Sequence, residues 1–306
     1  PWDEPVPESR WREGGEYCDN DVITTEQVHQ ARMQDFVARE LLSDLSGLPI
    51  NATTRLHTGK IVFGDVKNPQ SEFVYTDLSE LFPGYKYSFG KSEYRGEDPS
   101  EGGYVYAEPG MYENVAVLDV QSMHPNSMRA LNLFGPYTKN FTDLVDARVA
   151  IKYGDYEAAG QMLDGKLKPY LEDPANAKAL SYALKIVINT VYGLTSARFE
   201  NIFRDPRNKD NIVAKRGALF MIDLKHFVQE RGFQVVHSKT DSIKIPNASP
   251  EIIEEIMRFG EQYGYIFEHE ETYQRFCLVN DAVYIAKTSE GKWTPVGAQF
   301  AVPYVF

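Results

Sequence analysis

The chain contains little of what marks disulfide-bonded, zinc-binding or membrane-spanning proteins. Its 306 residues include two cysteines, Cys18 and Cys277, too far apart in sequence for a metal-ligand motif. We therefore expect no disulfide framework and two buried thiols in a reducing cell interior. No apolar run reaches the roughly 18 residues of a membrane helix, and the first 15 residues lack the apolar core of a signal peptide. No membrane partner is predicted.

Basic residues are also scarce relative to acidic ones. There are 32 Lys and Arg against 44 Asp and Glu, so the formal net charge is −12. Proteins that coat nucleic acid nonspecifically depend on a net basic surface, and the acidic excess argues against that class. It leaves open a local basic groove or a site that collects divalent cations, although acidic charge more often serves solubility alone. The length and the 42% hydrophobic content predict a globular protein of two or three lobes.

Apolar spacing predicts a mixture of helices and short strands. Residues 17–45 have the periodicity of one long amphipathic helix or two joined helices, whereas residues 1–16 resemble the broken end of something larger. Residues 50–110 predict loops, a short helix near 77–81 and a connecting strand. Further helices are predicted near 122–133, 141–162, 176–197, 208–231 and 250–263, and strands at 233–246, 276–288 and 293–299. The helices at 141–162 and 176–197 form a predicted αα-hairpin with a break at Asp164 and Gly165.

The stretch ENVAVLDVQSMHPNS (residues 113–127) places a carboxylate at the end of an apolar run. Val115 to Leu118 are typical of a buried strand, and Asp119 follows them directly. Because a buried carboxylate is costly to desolvate, such a strand usually delivers its charge to a cation or to solvent. Asp119 is therefore either a cation ligand or a surface residue at a strand end.

A second carboxylate lies at a predicted hairpin turn. In FQVVHSKTDSIKIP, Asp241 separates the apolar pairs Val235–Val236 and Ile243–Ile245. If this tip lies beside the end of the Asp119 strand, two carboxylates share one edge of a sheet. Two-metal phosphoryl transfer needs that arrangement, and hard oxygen ligands favour Mg²⁺.

A third stretch, ALKIVINTVYGLTSA, carries polar residues at helical spacing. Lys185, Asn189 and Tyr192 are four and three residues apart, which places them on one helix face, and Gly193 is predicted to end the helix. A cation, an amide and an aromatic ring suit a triphosphate and a base pair. The alternative is a solvated Lys beside a half-buried Tyr.

The order Asp-x-x-Ser-x-x-Pro, Lys-x-x-x-Asn-x-x-Tyr-Gly and Thr-Asp-Ser resembles motifs A, B and C of the B-family DNA polymerases, with the phage and viral members most similar. The resemblance covers roughly residues 100–306. It implies an α+β fold, with a palm domain built on an antiparallel sheet flanked by helices and a fingers hairpin of two helices. It also implies DNA-directed DNA polymerase activity in phage or viral replication, in the cytoplasm of an infected bacterium. Primer-template DNA and dNTPs would be its partners, with replication accessory proteins as further candidates.

The resemblance also implies roles for individual residues. Two Mg²⁺ ions, or Mn²⁺ in their place, would be held by Asp119, Asp241 and the backbone carbonyl of Val120. Lys185 would bind the triphosphate and protonate the leaving group. The remaining nucleotide-binding residues are the turn amides and the lining of the nascent base pair: Gln121, Ser122, Met123, His124, Asn189 and Tyr192. A further cation is expected from the facing fingers helix, where Arg148 and Lys152 are candidates with Lys178 behind them, or these three are solvated.

The flanking segments carry the predicted DNA contacts. Gly102 and Gly103 resemble the Gly-Gly segment that joins the exonuclease and polymerase domains and contacts the template. The other predicted DNA-binding residues are Gly193, His237, Lys239, Thr240, Tyr284 and Lys287. Tyr17 and Asp21 resemble the third exonuclease motif, but without the upstream acidic motifs no 3′–5′ exonuclease is expected from this chain alone.

The resemblance implies four segments. They are a remnant of the exonuclease domain at 1–48, a connecting region at 49–110, a palm at 111–140 and 200–306, and fingers at 141–199. No thumb is expected within these residues, and the chain is expected to be incomplete.

Three positions depart from the family pattern. His124 replaces a Tyr that excludes the 2′-hydroxyl, so ribonucleotide exclusion is either weakened or kept by a neutral packed ring. Lys239 replaces the first Asp of Asp-Thr-Asp, which changes the local charge by two units and disfavours a nearby metal. His237 replaces a Tyr and either touches the primer end or is a packed core residue.

Two other function classes are open. One is a polymerase-like module that has lost catalysis and binds primer-template or a replication partner. The other is a different two-metal enzyme, such as a nuclease, in which the Lys185 helix has no obvious use.

Overall fold

The computed structural model describes residues 4–300, so the outermost residues of the predicted segments 1–48 and 200–306 lie outside the described residues. The chain divides into two compact units. One takes the residues up to 64 together with 143–190, and the other takes 65–142 together with the residues from 191 on. None of the helices between residues 4 and 300 is long and apolar enough to cross a membrane.

The N-terminal helix is confirmed as two joined helices, but it begins earlier than predicted. Helix α1 spans Trp11–Ala31 and helix α2 spans Met33–Ser46. Helix α1 therefore includes part of the stretch 1–16, for which no helix was predicted. Glu13 in its first turn has the charge that a helix N-terminus favours. Gly47 ends α2 in the left-handed conformation, with φ 68°.

The prediction of two buried thiols is wrong. Cys18 is exposed and Cys277 is partly exposed. The physical reason for Cys18 is its position on α1, a helix without a buried residue.

Helix α3 spans Thr54–Phe63 and was not predicted. Thr53 caps it by accepting the N–H of Leu56 at 3.3 Å. It packs on α2, where the Oγ of Ser46 and the Nδ1 of His57 are 2.7 Å apart. The short helix predicted near 77–81 is confirmed as α4, Leu78–Leu81.

The predicted helix at 141–162 is two helices. Helix α6 spans Thr138–Lys152, and α7 spans Tyr156–Gln161 after Gly154 turns the chain at φ 77°. Helix α8, Pro174–Thr195, follows. It continues past Gly193, so the prediction that this glycine ends the helix is wrong.

Seven strands of the second unit form one sheet, and every pair of neighbours in it is antiparallel. Two further strands form a separate hairpin. The hairpin strands are β1 Lys86–Ser88 and β2 Lys91–Glu93, and the sheet strands are β3 Val105–Ala107, β4 Gly110–Val120, β5 His237–Lys239, β6 Ser242–Pro246, β7 Phe267–Asn280, β8 Val283–Lys287 and β9 Trp293–Val296. The sheet order is β3-β5-β6-β4-β7-β8-β9, which confirms the predicted antiparallel sheet with helices.

The C-terminal part of the sheet has one strand more than predicted. The stretch 276–288 contains a turn after Asn280, so it belongs to both β7 and β8. Strand β7 begins at Phe267, in a stretch for which no strand was predicted. The antiparallel pairing across the Ser289–Lys292 turn is confirmed between β8 and β9.

Three helices of the second unit supply much of its core. They are α5 Met123–Ala130, α9 Ile212–Glu230 and α10 Pro250–Gln262. Helices α5 and α9 approach closely at Gly217, where an added Cβ would lie 2.6 Å from the sulfur of Met123. Phe220 of α9 packs against an aromatic cluster that includes Tyr265, with ring centroids 4.6 Å apart.

Candidate active site

The two predicted metal-binding carboxylates lie together at one edge of the sheet. Asp119 is the penultimate residue of β4 and pairs with Ser242 of β6. Asp241 directly precedes β6 at the tip of the β5–β6 hairpin, and its backbone carbonyl accepts the N–H of Val120 at 2.8 Å. The run of β-branched residues and the tight turn thus bring together two acids that are 122 positions apart.

Burial and neighbouring acids disfavour the ionised form of both carboxylates. Burial raises the pKa of Asp119 from 3.8 to about 7, and the charges of Asp241 and Glu270 add to the shift. Burial also raises the pKa of Asp241, again with a contribution from Glu270. Acids held in this way bind protons tightly, and a divalent cation would relieve their repulsion.

Two further acids on β7 were missed by the sequence analysis. Glu268 lies opposite Asp119 in the β4–β7 pairing. Its Oε1 accepts a hydrogen bond from Nε2 of Gln121 at 2.9 Å. Glu270 lies where the register between β4 and β7 shifts, next to the pairing of Leu118 with His269. The acidic pattern FEHEE, directly after an aromatic stretch, is the signal that could have identified them.

A buried lysine faces the same edge and was also missed. Lys244 of β6 pairs with Val117 and is 4% exposed. Burial lowers the pKa of its amine to about 8, against the opposing charges of Asp119, Glu270 and Asp241. A lysine inside the apolar run SIKIP was the available signal.

The hairpin tip also meets the predicted Gly-Gly segment. Thr240 donates its N–H to the carbonyl of Tyr104 at 2.9 Å and has φ 55°. A Cβ added to Gly103 would lie 3.0 Å from the side chain of Thr240. Lys239 is exposed beside it, and Gly102 is exposed with open space around it.

In the tight turn after Asp119, one backbone amide already donates a hydrogen bond within the fold. Gln121 donates its N–H to the carbonyl of Ile266 at 2.8 Å, so this amide is engaged within the fold. Ser122 has φ 51°, a conformation uncommon for a residue with a side chain, and Met123 begins α5. An anion cradle at this turn would therefore depend chiefly on the amides of Ser122 and Met123.

The rings of His124 and Tyr192 stack at the turn between β4 and α5. Their centroids are 4.0 Å apart and their planes differ by 16°. Burial lowers the pKa of His124 to about 4, so its imidazole is neutral at pH 7. The fold thus joins two residues that the sequence assigned to one nucleotide pocket.

The other predicted nucleotide-binding residues belong to the first unit. Lys185 and Asn189 are exposed on the same face of α8 as Tyr192. Arg148 is half-buried on α6, where the amine of Lys152 lies 5.2 Å from the ring of Tyr153. Lys178 is exposed in the second turn of α8.

Three predicted DNA-binding residues on or beside β8 differ in exposure: His237 is buried, whereas Tyr284 and Lys287 are partly exposed. His237 is 1% exposed and packs beside Tyr284, with ring centroids 5.9 Å apart. Its Nε2 donates to the carbonyl of Asp281 at 3.1 Å. Of the two interpretations of His237, the packed core residue agrees with this burial and this hydrogen bond. Tyr284 lies 5.4 Å from the amine of Lys244, and Lys287 pairs with Arg275 on β7.

Both residues of the predicted exonuclease remnant lie within α1. Tyr17 and Asp21 are one turn apart and exposed. Between residues 4 and 300, no group of three or more His, Cys, Asp or Glu side chains has the geometry of a metal site.

Comparison with known proteins relates the chain to DNA polymerases. No protein-family model matches it. DNA polymerase II of Escherichia coli (strain K12) is 26% identical over 239 residues, covering 72% of this chain and 27% of that protein. DNA polymerase 2 of Aeropyrum pernix is 24% identical over a 334-residue alignment, covering 97% of this chain and 37% of that protein.

The fold is similar to that of a solved DNA polymerase. It matches the structure of the family B DNA polymerase from the hyperthermophilic archaeon Pyrobaculum calidifontis with a TM-score of 0.51 and 17% sequence identity. The match covers 95% of this chain and 39% of that chain. The chain is thus similar in sequence to two DNA polymerases and in fold to a family B DNA polymerase, and it spans about a quarter to two fifths of the length of these relatives.

Proposed function

We propose that the chain is the catalytic core of a DNA polymerase that adds dNTPs to a primer 3′-hydroxyl under the direction of a template. The observation that carries the proposal is that Asp119 and Asp241 lie together at one edge of an antiparallel sheet, where Asp119 pairs with Ser242 and Val120 donates its N–H to the carbonyl of Asp241. The primer oxygen attacks the α-phosphorus as its proton leaves. The bond from the α-phosphorus to the oxygen between the α- and β-phosphates breaks, and pyrophosphate departs.

The residues at this edge suit two Mg²⁺ ions. Asp119, Asp241 and the carbonyl of Val120 offer hard oxygens, and substrate phosphates would complete the coordination. The ions would stabilise charge on the attacking and leaving oxygens. The protein's own contribution is to hold the two carboxylates at a separation fixed by the pairing of β4 with β6.

The other roles extend from the sequence motifs. Lys185 binds the triphosphate, and His124 and Tyr192 line the base pair as a stacked pair. Gly103 and Thr240, in contact at the hairpin tip, bind the primer-template. The sheet is the palm, the segment 141–199 is the fingers, and the setting is replication of a phage or virus with accessory proteins.

A second candidate is an impaired polymerase-like module. The observation that favours it is the presence of two lysines, Lys239 and Lys244, around the acidic edge. Both would weaken metal binding relative to a site with a third acid in the hairpin.

Primer extension with Mg²⁺ or Mn²⁺ tests the proposal. The chain should extend a labelled primer, Asp119→Ala and Asp241→Ala should abolish extension, and Glu290→Ala in the exposed β8–β9 turn should leave it unchanged. DNA binding without extension by the unsubstituted chain would favour the impaired module. Degradation of the primer that depends on both carboxylates would favour a nuclease.

A further inference from the structure

The turn that carries Asp241 has a strained backbone. Thr240, at the tip of the β5–β6 hairpin, has φ 55°, in the left-handed region that a β-branched residue rarely adopts. The N–H of Asp241 donates to the carbonyl of Lys239 at 2.7 Å, which closes a three-residue turn. A residue in such a conformation keeps it only where the surrounding structure holds it there. The position of Asp241 therefore depends on the contacts of this turn.

Backbone hydrogen bonds from both sides hold the turn. On one side, Val120 of β4 donates its N–H to the carbonyl of Asp241 at 2.8 Å. On the other side, Thr240 donates its N–H to the carbonyl of Tyr104 at 2.9 Å. Tyr104 directly precedes β3, which pairs with β5 of the hairpin. A shift of Tyr104 would therefore release the strained residue from one of its supports.

The side chain of Tyr104 ends on a carboxylate that the sequence analysis did not single out. Its ring is 2% exposed, and its hydroxyl donates to Oε2 of Glu97. The same oxygen accepts a hydrogen bond from Nζ of Lys225 at 2.7 Å. The other oxygen of Glu97 accepts a hydrogen bond from Nε2 of His226 at 2.7 Å. Both of these donors lie on α9, so Glu97 joins Tyr104 to this long helix.

The partners of Glu97 favour its ionised form. Burial raises the pKa of Glu97, but the three hydrogen bonds and the charge of Lys225 outweigh burial and hold the pKa below its usual value. The side chain of Lys225 is 7% exposed, and its amine also lies 4.3 Å from the ring centroid of Tyr106. Hydrogen bonds to an ionised acceptor are roughly twice as strong as neutral ones. Loss of the carboxylate would leave a buried ammonium without its anion and would free the hydroxyl of Tyr104.

We propose that Glu97 is a positioning residue for Asp241. Its carboxylate orients Tyr104, whose carbonyl holds Thr240. The turn at Thr240 then places the carboxylate of Asp241 beside Asp119. The role of Glu97 in nucleotide addition rests on the proposed function, whereas its effect on the two acids can be measured without DNA or nucleotide.

Helix α9 offers a matched anchor that lies further from Tyr104 in sequence. Asp223 accepts a hydrogen bond from the hydroxyl of Tyr94 at 3.0 Å and another from Nη1 of Arg95 at 3.0 Å. These partners precede Glu97 in the chain, on the side away from β3. Glu97 and Asp223 are thus both half-buried acids at which the segment before β3 is fastened to α9. A role in stability alone predicts the same consequences when either acid is lost.

Calorimetry with Mn²⁺ measures the state of the two acids directly. Glu97→Ala should weaken Mn²⁺ binding about tenfold, a usual cost of removing a residue that supports a metal ligand. Glu97→Gln keeps an acceptor oxygen and should recover part of the affinity. Tyr104→Phe deletes only the hydroxyl and should weaken binding in the same direction. Asp223→Ala should leave Mn²⁺ binding unchanged, although both alanine variants should unfold at a lower urea concentration.

Primer extension at varied dNTP concentration gives a second readout. Glu97→Ala should lower kcat about tenfold or more while KM for dNTP stays nearly constant, because a displaced Asp241 alters the geometry of the reacting atoms. Asp223→Ala should keep both constants. A loss of stability alone would lower the amount of folded protein equally in matched variants and would not separate them.

Three results would overturn the inference. They are equal effects of Glu97→Ala and Asp223→Ala on Mn²⁺ affinity, an unchanged affinity in Tyr104→Phe and Glu97→Gln if Glu97→Ala does not fold, and no Mn²⁺ binding by the unsubstituted chain. Primer extension together with any of these results would remove the positioning role and keep the polymerase. Weaker Mn²⁺ binding in the Glu97 variants of a chain that does not extend primers would keep the positioning role and overturn the proposed function.

Discussion

Replacement of Asp119 by Asn should stabilise the protein while it abolishes polymerase activity. In the absence of divalent ions, the Asp119 carboxylate is half-buried and is repelled by Asp241 and Glu270. An amide of nearly the same shape removes that repulsion. The active site would thus be a place where function opposes stability.

The magnitude follows from the pKa of Asp119. The pKa of Asp119 rises from 3.8 to about 7, and this difference of roughly 3 corresponds to about 4 kcal/mol of unfavourable free energy for the ionised form. Partial exposure of Asp119 and screening by solvent reduce this value, and we expect ~1–2 kcal/mol. For a protein of this size that gain corresponds to a rise in Tm of roughly 2–6 °C.

The sign of the pH dependence is fixed by the raised folded-state pKa. Below pH 4, Asp119 is protonated in both states and carries no penalty. Between pH 4 and pH 7 the unfolded state ionises first, so the folded wild type loses stability as pH rises. The advantage of Asp119→Asn should therefore grow over this window and stay constant above it.

The assay is thermal unfolding of both proteins in EDTA at pH 5, 6, 7 and 8, with Glu290→Gln as the exposed control. Addition of Mg²⁺ should then raise the Tm of the wild type and leave Asp119→Asn unchanged. An equal or lower Tm for the variant at pH 8, or a difference that does not vary with pH, would refute the reasoning.

Three further predictions concern neighbouring residues. His124→Tyr should raise the preference for dNTP over rNTP in primer extension several-fold, because a larger ring crowds the 2′-hydroxyl; an unchanged ratio would contradict this. Lys244→Met should tighten Mn²⁺ binding on the order of tenfold in calorimetry, since it removes a buried cation beside the acids; weaker binding would mean that the amine organises the site. Gly103→Ala should destabilise the protein by about 1–3 kcal/mol in urea unfolding, because its φ is +146° and its Cβ would meet Thr240 at 3.0 Å, whereas Gly102→Ala has open space; equal effects would refute the contact.

The sequence was sufficient for the features encoded locally. The strand that ends at Asp119 and the hairpin that carries Asp241 follow from β-branched runs and a tight turn, and both are confirmed. Helix α10 is confirmed for the same reason, because Ser249 and Pro250 mark its start and its apolar residues repeat at helical spacing.

The missed features depend on contacts between distant segments. Strand β7 is partly or fully exposed at most of its positions, so it lacks the apolar alternation that predicts a strand, and its place between β4 and β8 comes from backbone pairing. Lys244 becomes a buried cation only when β6 lies between β4 and β5. The stack of His124 on Tyr192 joins residues 68 positions apart, and no local spacing encodes it.

The hydrogen bond from Val120 to Asp241 has a consequence for how the site can change over evolutionary time. The positions of the two acids are set by the backbone pairing of β4 with β6, and the backbones of neighbouring strands lie about 4.8 Å apart. Side chains around the site can be exchanged without changing this backbone spacing. A position such as Lys239 can therefore carry a cation beside the site, while the backbone positions of Asp119 and Asp241 stay the same.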